Sequence, residues 1–455
     1  MNVTLIAPRV GEQSSSSKES KPLFPPLSVM TVAALTPEDV QVNLIDEAVQ
    51  PVDFETTAEL IGITVTTAAS NRAYEIADQF RELGKPVVIG GVHATALPHE
   101  AAAHADAVVV GEAEGKWQAV IDDFRRGDLQ KFYTSNDRPN PMSIPVPRRE
   151  LVSAGDYLFA NTVQTSRGCP FDCSFCSVTS FFGHTYRVRP VHAVVEEIQS
   201  LPESLVLFVD DNIMGHPDCA KELFAAVKPL RRKWLGQASL SMLKHPELIS
   251  LAADSGCRGL LLGMETLSDT TLRSIGKTIN HRADYEEVVK RLHDAGIAVL
   301  AAFMFGFDDD DSGVFDRTVE FVNRTKIDAA QFAILTPFPG TRIFRDFAAQ
   351  GRIVDTDWSH YDGAHVVYRP ARLKPEVLLD GLRNAYREVY STDSILRRLG
   401  PAIKTRFAGI VLNTAYRQRI TKWLKGLVVD QRRPGGPQAA GTPPQEEAQI
   451  LEAQI

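Results

Sequence analysis

The stretch Thr165–Phe182, TSRGCPFDCSFCSVTSFF, carries three of the chain's five cysteines, Cys169, Cys173 and Cys176. Thiolates separated by three and then two residues can wrap a short loop around three corners of an iron–sulfur cube, leaving the fourth iron without a protein ligand. Clusters that only pass electrons use four cysteines as a rule, so a set of three points to an iron that binds something reactive. Gly168 and Pro170 flank the first thiol and favour a sharp turn there. The plain alternatives are a zinc site or buried free thiols. A closed structural zinc wants four ligands, and no second Cys-x2-Cys-like half follows. Buried thiols do not usually cluster in a loop that also holds Asp172 and Ser174.

The pattern Cys-x3-Cys-x2-Cys, with Phe175 just before the last cysteine, resembles the signature of the radical S-adenosylmethionine (SAM) enzymes. The resemblance implies a 4Fe-4S cluster on the three cysteines, with SAM chelating the open iron through its amino and carboxylate groups. Cys219 and Cys257 have no ligand spacing and read as small buried residues.

Composition narrows the setting. At 455 residues two or three domains are expected, and 44% hydrophobic with 23% charged residues is the balance of a soluble globular protein. MNVTLIAPRV lacks a basic n-region and reads as a strand. The longest apolar run, Ile297–Phe305, is far short of the ~20 residues that span a bilayer. Five cysteines in this length make no disulfide framework, and an exposed cluster needs reducing surroundings, so a cytoplasmic protein is expected. A net charge of −8 gives no reason to expect nucleic acid.

Upstream of the cysteines, residues 1 to about 130 alternate short apolar runs with helical periodicity, the pattern of βαβ units around a parallel sheet. Strands are expected at Val3–Ala7, Gln41–Asp46, Leu60–Val65, Pro86–Gly90 and Ala107–Val110, with helices at Tyr74–Leu83 and Trp117–Phe124. Such sheets bind ligands at the carboxyl ends of their strands. Thr66 and Thr67, Gly90-Gly91 with His93, and Gly111-Glu112 fall there. With GGVHATALP and VVVGEAEG, this part resembles the cobalamin-binding domains joined to one large radical SAM subfamily. The resemblance places Thr66 or Thr67 and the paired glycines Gly90 and Gly91 along the slot for the nucleotide tail, because glycine lets backbone approach the ligand closely. The Asp-x-His-x-x-Gly motif whose His binds cobalt from below is absent: the loop reads RVGEQSSSSKESKPLFPPL, so base-off cobalamin without that His is expected, with His93 the remaining candidate ligand.

The proline-rich NDRPNPMSIPVPRREL reads as a linker over residues 131–155. Six βα units then follow, with strands expected at Thr162–Thr165, Leu205–Val209, Gln237–Ser241, Gly259–Gly263, Ala298–Met304 and Ala329–Leu335, as in a parallel barrel with active residues at the strand carboxyl ends. Asp210 and Asp211 stand where the commoner radical SAM pattern has Gly-Gly-Glu for the SAM amino group. Glu265 and Ser268 follow the fourth strand, where a carboxylate can accept both hydroxyls of a ribose. FMFGF, with Gly306, and TPFPGT match the segments that hold the adenine and the methionyl part.

The fold class expected is therefore α/β: an N-terminal Rossmann-like cobalamin-binding domain (1–130), the linker, a partial (β/α)6 radical SAM barrel (156–345), a small, mostly helical C-terminal extension (346–430) and a disordered tail (431–455). The extension, with DTDWSHYDGAHVVYRP, resembles that of hopanoid C-2 methyltransferase-like proteins, and Trp358, Tyr361 and His365 either line a substrate pocket or cover the open side of the barrel. Arg397–Arg433 holds ten Lys or Arg against one acid, Asp430, and suits either an interfacial helix touching a membrane or a helix packed on the barrel.

The resemblance implies a cobalamin-dependent radical SAM C-methyltransferase acting on an unactivated carbon of a lipid or other small molecule. One SAM would methylate the cobalamin; a second, split by an electron from a flavodoxin or ferredoxin, would yield the 5′-deoxyadenosyl radical that takes hydrogen from the substrate. A cobalamin-dependent cyclase or ring-rearranging enzyme shares both domains, and a non-catalytic cobalamin sensor or carrier is a reading of a different class.

Overall fold

The computed structural model describes residues 1–11, 21–135, 137–399, 409–410, 413–414 and 416–417. The first sheet has six parallel strands, β1 (Asn2–Ala7), β2 (Gln41–Asp46), β3 (Leu60–Thr64), β4 (Val87–Gly90), β5 (Ala107–Val109) and β6 (Phe132–Tyr133). Their spatial order is β2-β1-β3-β4-β5-β6, so the winding reverses at β1 and β3 and opens a ligand crevice at their carboxyl ends. The strands read as continuous apolar runs because helices bury both faces of the sheet.

Around it run α1 (Leu27–Leu35), α2 (Ser70–Glu82), α3 (Val92–Ala96), α4 (Pro98–His104) and α5 (Trp117–Arg126). Three features depart from the expectation. The apolar LSVMTVAAL forms α1, with Val29, Met30 and Ala33 buried; with no polar stripe, it lacks the periodicity of an amphipathic helix. GGVHATALP starts α3 immediately after Gly91. Phe132–Tyr133 adds the edge strand β6 to this sheet, so the stretch read as linker begins inside the first sheet.

The second sheet is also six parallel strands: β7 (Thr162–Val163), then, after a two-stranded antiparallel ribbon of β8 (Ser166–Arg167) and β9 (Arg187–Val188), β10 (Leu205–Phe208), β11 (Lys233–Ala238), β12 (Cys257–Glu265), β13 (Ala298–Phe305) and β14 (Ala329–Ile334). The order β14-β13-β12-β11-β10-β7 leaves β7 and β14 unpaired with each other, a barrel that does not close. The connecting helices are α6 (Ser177–Phe182), α7 (Val191–Ser200), α8 (Pro217–Val227), α9 (Glu247–Asp254), α10 (Asp269–Ser274), α11 (Tyr285–Asp294) and α12 (Val314–Arg324), followed by α13 (Arg342–Ala349), α14 (Pro375–Val389) and α15 (Thr392–Leu399). The third barrel strand lies four residues earlier than its expected start at Gln237: Lys233 begins it, and Gly236 sits within it where Trp234 and Phe208 pack. Leu240–Lys244 turns into a 3-10 helix instead.

An open barrel exposes an edge strand, and an edge with unpaired backbone groups invites foreign pairing. Here α14 covers it. The Tyr386 hydroxyl accepts from Phe332 N (3.0 Å) and donates to Phe332 O (2.7 Å), and Tyr390 does the same for Ala330 (3.2 and 2.7 Å). Ile334 N donates to Gly363 O at 2.7 Å. The basic segment begins on the same surface. Arg398 is fully buried and donates to the carbonyls of Ile327, Asp328 and Val389 and to Asn413 Oδ1. Arg398 is therefore a packing residue and not part of a membrane-facing strip, while residues 418–433 lie outside the described residues. No helix among the described residues is long and apolar enough to cross a membrane.

Removing either tyrosine hydroxyl strands two buried backbone groups of β14. Tyr386→Phe and Tyr390→Phe are each expected to lower stability by ~1–3 kcal/mol, read as a drop in the urea midpoint at unchanged secondary structure. Wild-type midpoints for both variants would show that the edge is satisfied in another way.

Candidate active site

The cysteine loop is a closed excursion. It leaves at β8 and returns at β9, whose residues pair as Ser166↔Val188 and Arg167↔Arg187. Gly168 has φ +85°, and any side chain there would collide with the carbonyl of Thr185 on the returning strand. Ser174 N donates to Ile275 O at 2.9 Å and Ile343 N to Ser174 O at 3.0 Å, while Arg342 grips both the carboxylate and the carbonyl of Asp172. A segment with only one six-residue helix, α6, is thereby pinned to two neighbouring units of the barrel.

Cys169, Cys173 and Cys176 are each half-buried and free of disulfides. Burial pushes all three thiols upward, Cys173 to about 12 and Cys176 to about 11, with Cys173 raised further by Cys176 and Cys169 and Cys176 by Cys169. Such thiols do not ionise at neutral pH unless a cation shares the site, which is the demand a cationic iron cluster meets. Among the described residues no three His, Cys, Asp or Glu side chains close around one point as a single ion requires. A cube takes its thiolates at separate corners and needs no such convergence. Cys219 is part-exposed and Cys257 buried, both away from this set. Phe175 packs on the barrel core beside it.

Among the described residues a cation that no local pattern in the chain signals faces the thiols. Lys277, past α10, pairs with the Glu265 carboxylate and lies within electrostatic reach of Cys169, Cys173 and Cys176. Burial works against its charge, but Glu265 and Cys173 outweigh that and hold the ammonium above its usual range. Glu265 ends β12 at a register shift, with φ +64°, a left-handed conformation that costs a non-glycine residue about 1–3 kcal/mol and clusters at functional sites. A Cβ on Gly263 would overlap both members of the pair.

At the neighbouring strand end Asp210 is buried. Its Oδ1 accepts from Thr165 N (3.0 Å), Thr165 Oγ1 (2.8 Å), Ser166 N and Ser166 Oγ (2.6 Å). Burial pushes its carboxyl up to about 6 against those four donors, and Oδ2 has no protein partner. Asp210 thus braces the strand that enters the cysteine loop. Asp211 Oδ2 accepts from Gly168 N at 3.2 Å. Two other candidate residues make bonds within the protein. Ser268 is the N-cap of α10, its Oγ accepting from Thr271 N at 3.2 Å, and Gly306 has its N–H on Asp310 (2.8 Å) and its carbonyl on the Tyr368 hydroxyl.

In the first domain Gly91 has φ +109°, and a Cβ there would meet Val65 N and O at 2.8 Å, so β3 and β4 end in backbone contact. Thr66 is exposed at the crevice, whereas the Thr67 hydroxyl lies 3.3 Å from His93 Nδ1. His93 is fully buried, with Nε2 3.1 Å from Glu100 Oε1 and Trp358 edge-on at 5.2 Å. Neither ring nitrogen is left for cobalt; His93 belongs to a junction in which Trp358 Nε1 donates to Glu100 Oε2 at 3.1 Å. Trp358 therefore bridges two domains, Tyr361 is buried with its hydroxyl on Asp355 O, and His365 pairs with Asp362. Glu112 is likewise committed: both carboxylate oxygens are taken by arginines of the second domain, Arg167 and Arg187.

The carboxyl ends of the two sheets face each other. A Cβ on Gly340, in the loop after β14, would lie 3.3 Å from Ala96 of α3 and 3.5 Å from Ser180 of the cysteine loop. The loop after β14, α3 of the first domain and α6 of the cysteine loop therefore meet at the carboxyl ends of the two sheets.

Residues 18–121 match the B12 binding domain family and residues 163–322 the radical SAM superfamily. The chain is 33% identical to a bacteriochlorophyllide d C-12(1)-methyltransferase of Chlorobaculum tepidum over 87% of this chain and 88% of that protein. It is 24% identical to the hopanoid C-2 methylase of Rhodopseudomonas palustris over 78% of this chain and 71% of that one. In fold it resembles the radical S-adenosylmethionine methyltransferase TsrM of Kitasatospora setae, with a TM-score of 0.66 at 16% identity over 93% of this chain and 99% of that chain. The cofactors of these two families are a 4Fe-4S cluster, SAM and cobalamin, and the crowded thiols and the glycine-floored crevice fit them. The chain belongs to the radical SAM enzymes that carry an N-terminal B12 binding domain.

Proposed function

We propose that this protein is a cobalamin-dependent radical SAM C-methyltransferase, with Cys169, Cys173 and Cys176 holding the cluster and Thr66, Gly90, Gly91 and the backbone at Gly111 bordering the cobalamin. The observation that carries the reading is the meeting of the carboxyl ends of both sheets, where Gly340 abuts Ala96 and Ser180. When bound, the cofactors supply a 5′-deoxyadenosyl radical and a transferable methyl group. The protein's part is to hold them and the accepting carbon in line and to exclude water. Asp210 fixes the strand entering the cysteine loop, and Lys277 with Glu265 places a charge pair beside the thiols where SAM's charged groups and ribose would lie. For substrate, the likeness to a bacteriochlorophyllide d methyltransferase supports a tetrapyrrole or a comparably large apolar small molecule. Lipid and membrane contact have no support in the described residues.

Replacing Cys169, Cys173 and Cys176 together by Ala is expected to abolish iron incorporation and SAM cleavage, whereas Cys219→Ala and Cys257→Ala keep both. Iron and sulfide content after anaerobic reconstitution decides it, and a full cluster in the triple variant would overturn the ligand assignment. Glu265→Gln should lower kcat/KM for SAM on the order of 100-fold with the cluster intact, since a displacement of ~1 Å in such a site costs about that much.

Turnover with SAM labelled in its methyl group tests the reaction class. Each methylated product should appear with one S-adenosylhomocysteine and one 5′-deoxyadenosine, and should carry the label. Product formed with 5′-deoxyadenosine but without label would replace methyl transfer by a cyclase-type reaction.

A further inference from the structure

Arg167 and Arg187 stand directly opposite each other across the β8–β9 ribbon, at the neck of the cysteine loop. Like charges in facing positions of an antiparallel pair repel, and both side chains are largely buried, 10% and 14% exposed. The carboxylates in contact with them come from the other domain. Glu112, 2% exposed, receives Arg167 Nη1 on Oε2 and Arg187 Nη2 on Oε1, each at 2.6 Å, and Arg167 Nη2 also donates to Glu114 Oε1 at 2.7 Å. Within its own domain Arg167 has Gln164 Oε1 at 3.0 Å and the field of Asp211, and Arg187 Nη1 donates to Pro139 O at 2.9 Å. Lys116 anchors the acidic loop by donating to Glu112 O at 2.9 Å.

The same loop continues to the cobalamin slot. Gly111 N donates to Thr95 Oγ1 at 2.8 Å, and Thr95 Oγ1 donates to Gly91 O at 2.8 Å. An unbroken chain of hydrogen bonds and ion pairs therefore runs from Gly91 through Thr95, Gly111 and Glu112 to Arg167, two residues before Cys169.

We infer that Glu112 is a positioning residue that fixes the neck of the cluster loop against the cobalamin slot, setting the separation and orientation of the two cofactors. The inference rests on the placement of the cofactors proposed above. A carboxylate bridging two forked guanidiniums is geometrically specific, and without it Arg187 loses its carboxylate while Arg167 keeps Glu114 alone. Catalysis that hands a radical and a methyl group to one carbon needs that separation held closely, and both groups must act from fixed positions.

The test uses the full-length chain reconstituted with cluster and cobalamin, without substrate, in frozen solution. Pulsed dipolar EPR between the reduced cluster and cob(II)alamin is expected to give a narrow distance distribution in the wild type. Glu112→Gln, which halves the charge match while keeping shape, should broaden or shift that distribution with iron and cobalamin contents unchanged. A wild-type distribution in Glu112→Gln overturns the inference. Should that variant fail to hold its cofactors, Arg187→Lys decides: it keeps the charge and loses the fork, so a broadened distribution supports the inference and a wild-type one overturns it. Reconstituted wild type lacking either paramagnetic signal would instead remove the placement of the cofactors.

Discussion

Everything in this molecule depends on holding two arginines face to face at the neck of one loop. Alone, the pair Arg167 and Arg187 would push β8 and β9 apart; with Glu112 between their guanidiniums and Glu114 on Arg167, the same charges tie the two α/β units together. A buried ion pair is weak evidence of net stability, because desolvation offsets most of the attraction. Removing one partner is another matter, costing ~3–5 kcal/mol by leaving a buried charge exposed to nothing. Such an arrangement specifies geometry more than it adds stability, and geometry is what a two-cofactor site requires.

Inside the loop the same logic operates with the sign reversed. Three half-buried thiols are raised by burial and resist ionisation, and Lys277 is the permanent positive charge near them. The lysine does not stand alone: Glu265 meets it from a left-handed position at the end of β12, on a strand whose register slips there. Backbone strain of ~1–3 kcal/mol persists only where the surroundings over-determine it. The pair is boxed by Gly263, whose missing side chain is the space it occupies. The donors around Asp210 follow the same pattern, with four hydrogen bonds on one oxygen and none on the other.

Much of this was legible in the sequence where the signal was local. Period and punctuation located Gln41–Asp46 to the residue, and the cysteine spacing identified the loop, because strand period and ligand spacing are both properties of neighbours along the chain. What local pattern did not show lies where partners are distant. Glu112 and His93 sit beside glycine turns at strand ends, the usual address of ligand contacts; Glu112 meets Arg167 more than fifty positions away, and His93 holds Thr67 and Glu100 with Trp358 against its edge. Ser268 and Gly306 have the same address but serve α10 and Tyr368. Lys277 lies in an unremarkable GKT, and only folding brings it to the thiols. Arg398 belonged to a stretch whose average charge suggested a surface, yet one guanidinium among carbonyls is core.

The two domains meet at two chemically different junctions. One is the charged neck at Glu112; the other joins α2, α3 and α4 to the C-terminal extension through Glu100, His93 and Trp358, with Asn71 donating to Asp357 nearby. Truncating one partner at the first leaves a buried charge unpaired, at ~3–5 kcal/mol. At the second it breaks one indole hydrogen bond to a carboxylate, ~1.5–3 kcal/mol, and an aromatic edge contact of ~0.5–1.5 kcal/mol. The extension contributes the second from a segment anchored on the barrel edge by Tyr386 and Tyr390.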